Sequence, residues 1–419
     1  MNNKAFEIAK EWYDAHGVDV NAAMDAAAKT AISMHCWQGD DVVGLEGVGG
    51  GASGGIATTG NYPGRARNGD ELRADIDKAI SLIPGGKKLN LHASYAELHG
   101  KKIDRDAYTA EDFAEWIDWA KDRKVGLDFN TTFFSHPYAE DGFTLSSPDK
   151  KIRDFWIEHG KRCREIGEAF SKALGQTCVI NHWMPDGYKD TPEDTVAPRA
   201  RMIESLDAIF GAKEISKDLV QDAVESKLFG IGVESYTVGS HELMMGYAIT
   251  RGILYTLDAG HFHPTEKISD KISAILQFMP KVLLHVSRGV RWDSDHVVLF
   301  DDETKEIAKE IVRCGGLSGR VKIALDYFDA SINRIGAWVT GFRNVQKALL
   351  FALLQPTEEL TKLQNEQDFT SLMIRAEELK TMPFGDVWAE YCKEQNVPAD
   401  DMAWLSEIKK YENEVLLKR

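Results

Sequence analysis

The sequence is poor in cysteine and has no long apolar run, and both absences narrow the class of protein. Only 5 of its 419 residues are cysteine, and none forms a CxxC pair. We therefore expect reduced thiols and a cytoplasmic protein rather than a disulfide framework. No run of about 18 apolar residues occurs. The first residues are amphipathic and charged, so we expect neither a membrane span nor a secretion signal.

The chain also lacks an excess of positive charge. It has 50 Lys and Arg residues and 66 Asp and Glu residues, which gives a net charge of −16. Nucleic acids and anionic membranes attract positive patches, so an acidic chain without a basic run is a poor partner for either. A neutral polar substrate is compatible with this charge.

A glycine-rich stretch at residues 44–60 lacks the features of a phosphate-binding loop. It has neither a GxGxxG motif before a helix nor a P-loop lysine. Two interpretations stay open, a flexible surface loop and a lid that covers the functional site.

Eight apolar segments bounded by turn residues predict buried strands. They are residues 31–41, 88–95, 125–134, 177–186, 222–230, 253–261, 282–287 and 321–328. Each spacer can hold a helix, as a (β/α)8 TIM barrel requires. An open doubly wound sheet is the alternative. It gathers ligand contacts at one switch point, whereas here polar residues end nearly every segment, so we prefer the barrel.

Helical patterns flank the predicted barrel. We expect an N-terminal helical segment at residues 1–30, the barrel at residues 31–335 and a helical extension at residues 336–419. In the first segment one helical face is formed by Ala5, Ile8, Trp12 and Ala15. The extension carries wide apolar faces, which suggests that it packs outside the barrel or against a partner subunit in an oligomer.

Within the barrel, three sites carry signals for the start of a helix. Thr109 is followed by acidic residues, as at a capped helix start. The pairs Ser147-Pro148 and Thr191-Pro192 each place a proline where a first helical residue is expected.

Acidic and imidazole side chains recur at the ends of four consecutive strand segments. These are Glu225, Asp258, His285 and Asp326. Neighbouring strands of a barrel curve round one pocket, so the four side chains can converge on one cation. Mixed ligands of this kind suit Mn2+, with Zn2+, Co2+ or Mg2+ as alternatives. A single strand-end acid is more often a cap or an ion-pair partner, so the prediction depends on the recurrence.

A second cation is predicted beside the first. Its candidate ligands are His261, Asp293 and Asp295. The two aspartates alternate, so in an extended segment both would point the same way. Two neighbouring cations can coordinate adjacent oxygens of one substrate. We assign structural or supporting roles to the nearby His263 and His296.

Further candidates surround the predicted metal site. Lys227 follows Glu225 by two residues and is either a polarising group or an ion-pair partner. His92 either positions substrate or is a core histidine. Three aromatic residues follow strand ends: Trp37, Phe134 and Trp183. They either form an apolar wall for a sugar ring or pack in the protein core.

Four strings carry a resemblance to a known family. They are SMHCWQGDD, LDAGHFHPTE, HVSRGVRWDSDHVVLFDDET and LDYFDASINR. With them the chain closely resembles L-rhamnose isomerases over essentially its whole length. The resemblance implies a cytosolic, homotetrameric (β/α)8 enzyme with two divalent cations, usually Mn2+. It also implies conversion of L-rhamnose to L-rhamnulose, the first step of L-rhamnose catabolism.

The resemblance also assigns site residues. It implies a catalytic metal at His261, Asp293 and Asp295, and a second metal at Glu225, Asp258, His285 and Asp326. Lys227 and His92 match substrate-contacting positions. Together with the analysis of the residues, this gives Asp293, Asp295 and Lys227 as catalytic residues, and His92, Trp183 and Lys227 as substrate contacts.

The predicted reaction is a metal-assisted 1,2-hydride shift. The site is rich in metal ligands, and no separate residue stands out as a base for a carbon-bound proton. A related barrel isomerase that acts on another aldose is the alternative, because fold and metal do not fix the substrate. A sugar-binding or structural protein without catalysis is a third hypothesis, and the convergent ligands argue against it.

Overall fold

Parallel strands and helices alternate along most of the chain. The computed structural model describes residues 3–47, 58–228 and 235–419. The strands are β1 (Ala31–His35), β2 (Gly86–His92), β3 (Gly126–Asn130), β4 (Cys178–Trp183), β5 (Gly187–Tyr188), β6 (Val220–Glu225), β7 (Tyr236–Thr237), β8 (Leu254–Asp258), β9 (Val282–Val286) and β10 (Val321–Leu325). Most of the glycine-rich stretch lies outside the described residues, so the choice between a surface loop and a lid stays a prediction.

The helices are α1 (Asn3–Asp14), α2 (Val20–Lys29), α3 (Gly69–Ile80), α4 (Ala114–Arg123), α5 (Lys150–Leu174), α6 (Val196–Phe210), α7 (His241–Arg251), α8 (Ser269–Ile275), α9 (Asp302–Arg313), α10 (Arg334–Leu353), α11 (Thr357–Asn365), α12 (Phe369–Glu378), α13 (Phe384–Glu394) and α14 (Asp401–Glu414). Among the helices described, none combines the length and the apolar character that a bilayer crossing needs.

The eight longer strands close into a parallel barrel. Their order is β1-β10-β9-β8-β6-β4-β3-β2, and β1 pairs with both β10 and β2. This confirms the predicted (β/α)8 TIM barrel, and the open doubly wound sheet is wrong. The short strands β5 and β7 form a separate antiparallel ribbon.

Alternation along the strands separates two cores. Side chains of one parity form a small apolar cluster: Val179, Ala223, Leu254, Leu283 and Ala324. Side chains of the other parity, such as Val224, Leu257 and Leu284, belong to the larger core. Because a strand repeats every two residues, the residues two or four places beyond the small cluster lie on its side. These include Glu225, Asp258, His285 and Asp326, so the candidate ligands point into the barrel.

Two of the predicted helix starts are wrong, and aspartate caps explain both. Helix α5 begins at Lys150 rather than at Pro148, because Asp149 accepts a hydrogen bond from the backbone N–H of Lys151. Helix α6 begins at Val196, because Asp194 accepts from the N–H groups of the first two helical residues. Thr109 is a cap as predicted: it forms a capping box with Asp112, on a 3-10 turn that leads into α4.

The N-terminal helix buries a different face from the one its spacing suggests. The side chains of Ile8 and Trp12 are 46% and 57% exposed. The buried residues are Ala9 and Tyr13, which pack in one cluster with α13 residues such as Tyr391. Helix α1 thus has a second apolar stripe, which the described residues of the protomer leave uncovered.

Helix α10 completes the ring around the barrel. It packs against α9, α3 and β1, and most of its side chains are buried. The predicted boundary between residues 335 and 336 falls inside this helix, and the division into barrel and extension stays a prediction. Helix α11 follows directly, within the predicted helical extension.

Close packing of α10 on the loop after β10 yields a stability prediction. A Cβ atom added at Gly341 would lie 2.2 Å from the hydroxyl oxygen of Tyr327, which donates to the carbonyls of Ala337 and Trp338. We expect Gly341→Ala to destabilise the protein by about 2 kcal/mol through overpacking.

Gly336→Ala in the same helix is the control. Its added Cβ would meet nothing closer than 3.8 Å, and alanine favours a helix by up to about 1 kcal/mol. Thermal denaturation should therefore show a lower midpoint for Gly341→Ala alone. Equal midpoints for the two variants would contradict the close packing.

Candidate functional site

Two groups of potential metal ligands lie at the carboxyl end of the barrel strands. The first consists of Glu225, Asp258, His285 and Asp326, and the second of Asp258, His261 and Asp293. Within each group the ligand atoms all lie within 4.8 Å of one another. The groups adjoin, because Asp258 belongs to both.

His285 lies among three carboxylates in the first group. Its Nδ1 atom is 3.5 Å from Glu225 Oε1, 3.6 Å from Asp258 Oδ2 and 3.5 Å from Asp326 Oδ2. Strand register produces this arrangement, since Asp258 on β8 is the direct partner of His285 on β9. Ligands about 2.1 Å from a shared ion are themselves about 3 Å apart, so the spacing leaves room for a cation.

Several ligand atoms are buried without a hydrogen-bond partner among the described residues. They are Glu225 Oε1, Asp258 Oδ2, Asp293 Oδ1 and both ring nitrogens of His285. A buried carboxylate oxygen without a partner is costly. The atoms left unsatisfied are oxygen and imidazole nitrogen donors, which divalent cations accept. The residues therefore fit a divalent metal centre.

A pair of neutral side chains orients Glu225. The side-chain amide of Asn181 on β4 donates to Glu225 Oε2 at 2.5 Å, and Asn181 Oδ1 accepts from the hydroxyl of Thr256 at 2.7 Å. Glu225 Oε1 lies 3.1 Å from His261 Nδ1 but makes no hydrogen bond among the described residues, so it can bind a cation. The sequence analysis gave no role to Asn181, which lies within the predicted strand segment 177–186. Its only signal is that it shares the inward direction of Trp183.

His261 and Asp326 are also held by fixed partners. His261 Nδ1 lies 2.9 Å from the carbonyl oxygen of Ser226, and its Nε2 lies 3.3 Å from Asp293 Oδ2. The indole N–H of Trp37 donates to Asp326 Oδ1 at 3.0 Å. Such outer contacts set the orientation of a metal ligand.

The predicted grouping of His261, Asp293 and Asp295 differs from the observed one. Asp258 rather than Asp295 completes the cluster around His261 and Asp293. The premise of an extended segment is wrong, because Asp295 has a left-handed φ of 43°. Both aspartates still line the same cavity. Burial and the neighbouring Asp293 raise the pKa of Asp295 well above its usual range.

Lys227 forms an ion pair and also lines the cavity, so the ion-pair interpretation is confirmed and the polarising role stays a prediction. Its Nζ lies 2.6 Å from Asp293 Oδ2 and 4.6 Å from the centre of the Trp183 ring. Burial lowers the pKa of Lys227, but Asp293 and Asp295 outweigh this effect, so the pKa is raised. Lys227 thus carries a positive charge between the aspartates and the aromatic wall.

A cavity of about 530 Å3, including its open mouth, lies beside the clusters. Its aromatic side consists of Trp37, Phe134, Trp183 and Phe328, and its uncharged polar side includes His92, Asn130, Thr131, Thr132 and Asn181. The structure thus brings the predicted residues His92 and Trp183 to one site with the ligands. The sequence analysis missed Val42, Thr131, Thr132 and Phe328, which lie on loops where only their position after a strand hints at a role.

The two remaining histidines of this region lie outside both clusters. His263 is exposed, with Nδ1 2.8 Å from Thr265 Oγ1. His296 Nδ1 lies 2.9 Å from Ser294 Oγ. These local contacts agree with the structural roles expected for them.

Comparison with known proteins identifies the family. A family model described as L-rhamnose isomerase matches residues 1–419. The chain belongs to the L-rhamnose isomerase family. The chain is therefore an isomerase, as the resemblance of the four strings implied.

Individual L-rhamnose isomerases match along almost their whole length. The protein of that name from Mannheimia succiniciproducens is 58% identical over 99% of this chain and 99% of its own length. That of Rhodopirellula baltica is 56% identical over 99% of this chain and 96% of its own. That of Listeria monocytogenes is 56% identical over 100% of this chain and 98% of its own.

The contact between Asn181 and Glu225 yields a prediction for cation binding. We expect Asn181→Ala to weaken Mn2+ binding by about 10–100-fold, because Glu225 loses the partner that fixes its orientation. The measurement is Mn2+ titration of chelator-stripped protein by calorimetry.

Asn344→Ala is the matched control. Asn344 is also buried, and its amide donates to the carbonyl of Val298 at 2.9 Å, but it belongs to neither metal cluster. We expect this variant to lose some stability and to keep wild-type Mn2+ affinity. Equal affinity in wild type and Asn181→Ala would contradict the orienting role.

Proposed function

We propose that this protein converts L-rhamnose to L-rhamnulose, the first step of L-rhamnose catabolism, with two divalent cations at the adjoining clusters. The observation that carries this proposal is the set of unpartnered, buried ligand atoms beside an aromatic cavity in a chain of this family. A cavity with one apolar and one polar side fits a sugar, whose ring face is apolar and whose hydroxyls are polar.

The charge of the site supports two cations rather than one. Lys227 is the only ammonium among the described residues that line the site, and it faces five carboxylates. With neutral imidazoles and all five carboxylates ionised, as cation binding requires, the formal charge is −4, which two divalent cations would balance. The carboxylates are Glu225, Asp258, Asp293, Asp295 and Asp326.

We assign the catalytic cation to His261, Asp293 and Asp295, and the second to Glu225, Asp258, His285 and Asp326. Asp258 lies close enough to serve both. Mixed carboxylate and imidazole donors favour Mn2+, and Zn2+, Co2+ and Mg2+ are the alternatives. When bound, the pair of cations would polarise two neighbouring oxygens of the sugar.

We further propose a 1,2-hydride shift between C1 and C2 of the sugar. The alternative route needs a base that removes a proton from C2. Burial lowers the pKa of His92 to about 3. An imidazole with so low a pKa is a weak base at neutral pH. The cavity-lining carboxylates belong to the ligand sets, and Lys227 is paired with Asp293. This arrangement favours hydride transfer.

In this scheme the chain's own residues bind and orient the sugar. Trp183 and His92 contact the substrate, and the aromatic side of the cavity covers its apolar face. Lys227 lies within the cavity and can donate a hydrogen bond to a substrate oxygen where negative charge develops.

We also propose a homotetramer in the cytoplasm. Support for an oligomer comes from α11 and α12, which have no buried residue in the described protomer. Phe369, Met373 and Ile374 on α12 are each more than half exposed, as expected where a partner subunit covers them. The five cysteines are all free thiols, which fits a reducing compartment.

Removal and return of the cation tests the proposed activity. We expect chelator-stripped protein to lose at least about 100-fold of its L-rhamnulose formation, and added Mn2+ to restore it, because the cations supply the polarisation. Undiminished turnover without metal would contradict the cation requirement. A panel of aldoses completes the test, since L-rhamnose ranking among the poorer substrates would contradict the proposed specificity.

Solvent isotope incorporation tests the hydride shift. In D2O we expect L-rhamnulose with essentially no carbon-bound deuterium, because the hydrogen moves directly from carbon to carbon without exchange. Mass spectrometry and proton NMR of the isolated ketose make the measurement. Near-complete deuteration at carbon would overturn the hydride route and favour proton transfer through solvent.

A further inference from the structure

Arg105 is a fully buried cation outside both metal clusters. Its Nη2 and Nε donate to the two carboxylate oxygens of Glu46 at 2.5 and 3.0 Å. Its Nη1 donates to the carbonyls of Thr132 and Phe134, each at 2.7 Å, and Nη2 also donates to that of Ser135 at 3.2 Å. The guanidinium thus uses all of its five N–H donors.

The carbonyls that Arg105 binds belong to a strained segment. Thr132 and Ser135 have left-handed φ values of 53° and 51°. A positive φ is especially unfavourable for a β-branched residue such as threonine. The segment therefore needs outside contacts to keep this shape, and Arg105 supplies three of them.

The strained segment forms part of the cavity wall. Thr132 and Phe134 both line the cavity. Thr132 Oγ1 lies 2.9 Å from His92 Nδ1. The ring of Phe134 packs edge-on against His92 at 5.5 Å and lies 5.4 Å from the ring of Trp183. Movement of the segment would displace two of the three predicted substrate contacts, His92 and Trp183.

The anchor of Arg105 lies on a different loop. Glu46 follows β1, and its backbone N–H donates to the carbonyl of Ser94 after β2 at 3.2 Å. The hydroxyl of Tyr108 donates to Glu46 Oε2 at 2.8 Å. Arg105 therefore joins the loops after β1 and β3 across the side of the cavity that holds His92.

We propose that Arg105 is a positioning residue for the sugar, which holds Thr132 and Phe134 in place and thereby fixes the substrate-facing side of His92. The proposal rests on the proposed function, because it assumes that the cavity binds the aldose. A lysine at this position would keep the charge but has only three donors on one nitrogen, so it cannot hold all five acceptors.

Steady-state kinetics of Arg105→Lys tests the proposal. We expect the KM for L-rhamnose to rise about tenfold, the scale of one lost hydrogen bond to substrate, with kcat within about threefold of wild type. A merely structural defect lowers the fraction of active protein, so it lowers the apparent kcat and leaves KM unchanged. That second pattern would overturn the proposal.

Arg73→Lys is the matched control. Arg73 is also buried and pairs with Glu97, Glu115 and Asp70, but none of these four residues lines the cavity. We expect a lower thermal midpoint with an unchanged KM. A KM increase equal to that of Arg105→Lys would overturn the proposal, because loss of any buried ion pair would then have the same effect.

Thr132→Val separates the contact to His92 from folding. Valine keeps the branched shape and removes the hydroxyl, so we expect a KM increase similar to that of Arg105→Lys. The double variant should show no more than the larger single effect, because both changes act through one contact. Effects that multiply would overturn the coupling.

Glu46→Gln replaces Arg105→Lys if that variant does not fold. We expect the same KM increase, and a lower apparent kcat with unchanged KM would again overturn the proposal.

The wild-type protein in this assay distinguishes the two proposals. Absence of L-rhamnose turnover together with turnover of another aldose would overturn the substrate proposed above. The same KM comparison with that aldose then decides the role of Arg105.

Discussion

Five carboxylates lie together at one end of the barrel and repel one another, and the other polar groups of the site compensate for this repulsion. Like charges buried together are unfavourable unless counter-charge and hydrogen bonds accompany them. Lys227 supplies one positive charge, through its ion pair with Asp293. Asn181 supplies a hydrogen bond to Glu225. The remaining unpartnered oxygens are available to a metal ion, which is how the fold supports the proposed cation sites.

The barrel strands and the loops after them position different parts of the site. Strands β6 and β8 end in Glu225 and Asp258, and His285 is the last but one residue of β9. The hydrogen-bonded register of these strands fixes the three candidate ligands with little freedom. Asp293 lies on a loop, where its position depends on side-chain partners such as Lys227. The part of the cavity wall formed by Thr132 and Phe134 also lies on a loop. The hydrogen bonds of the buried Arg105 hold this loop, as strand pairing holds the barrel. Strands thus hold most of the candidate metal ligands, while the loops shape the cavity beside them.

Some features followed from local pattern because their causes are local. Each of the eight barrel strands lies within or close to its predicted segment, since an apolar run between turn residues leaves few alternatives. The ligand set Glu225, Asp258, His285 and Asp326 followed from position after those runs. The starts of α5 and α6 did not follow, because Pro148 and Pro192 competed with aspartates closer to the helix. The face of α1 that is buried also could not be chosen from the sequence, because this helix has two apolar stripes and nothing local distinguishes them.

The barrel, the convergence of its candidate ligands and, through four long strings, the family could all be predicted from the order of residues. These features depend on periodicity and residue identity, which are properties of a linear chain. The folded structure was needed to show that Asp258 belongs to both clusters, that Asp295 has a left-handed backbone and that Asn181 contacts Glu225. It alone brought Arg105 to the carbonyls after β3. Such contacts join residues far apart in the chain, and their geometry exists only once the strands have closed into a barrel.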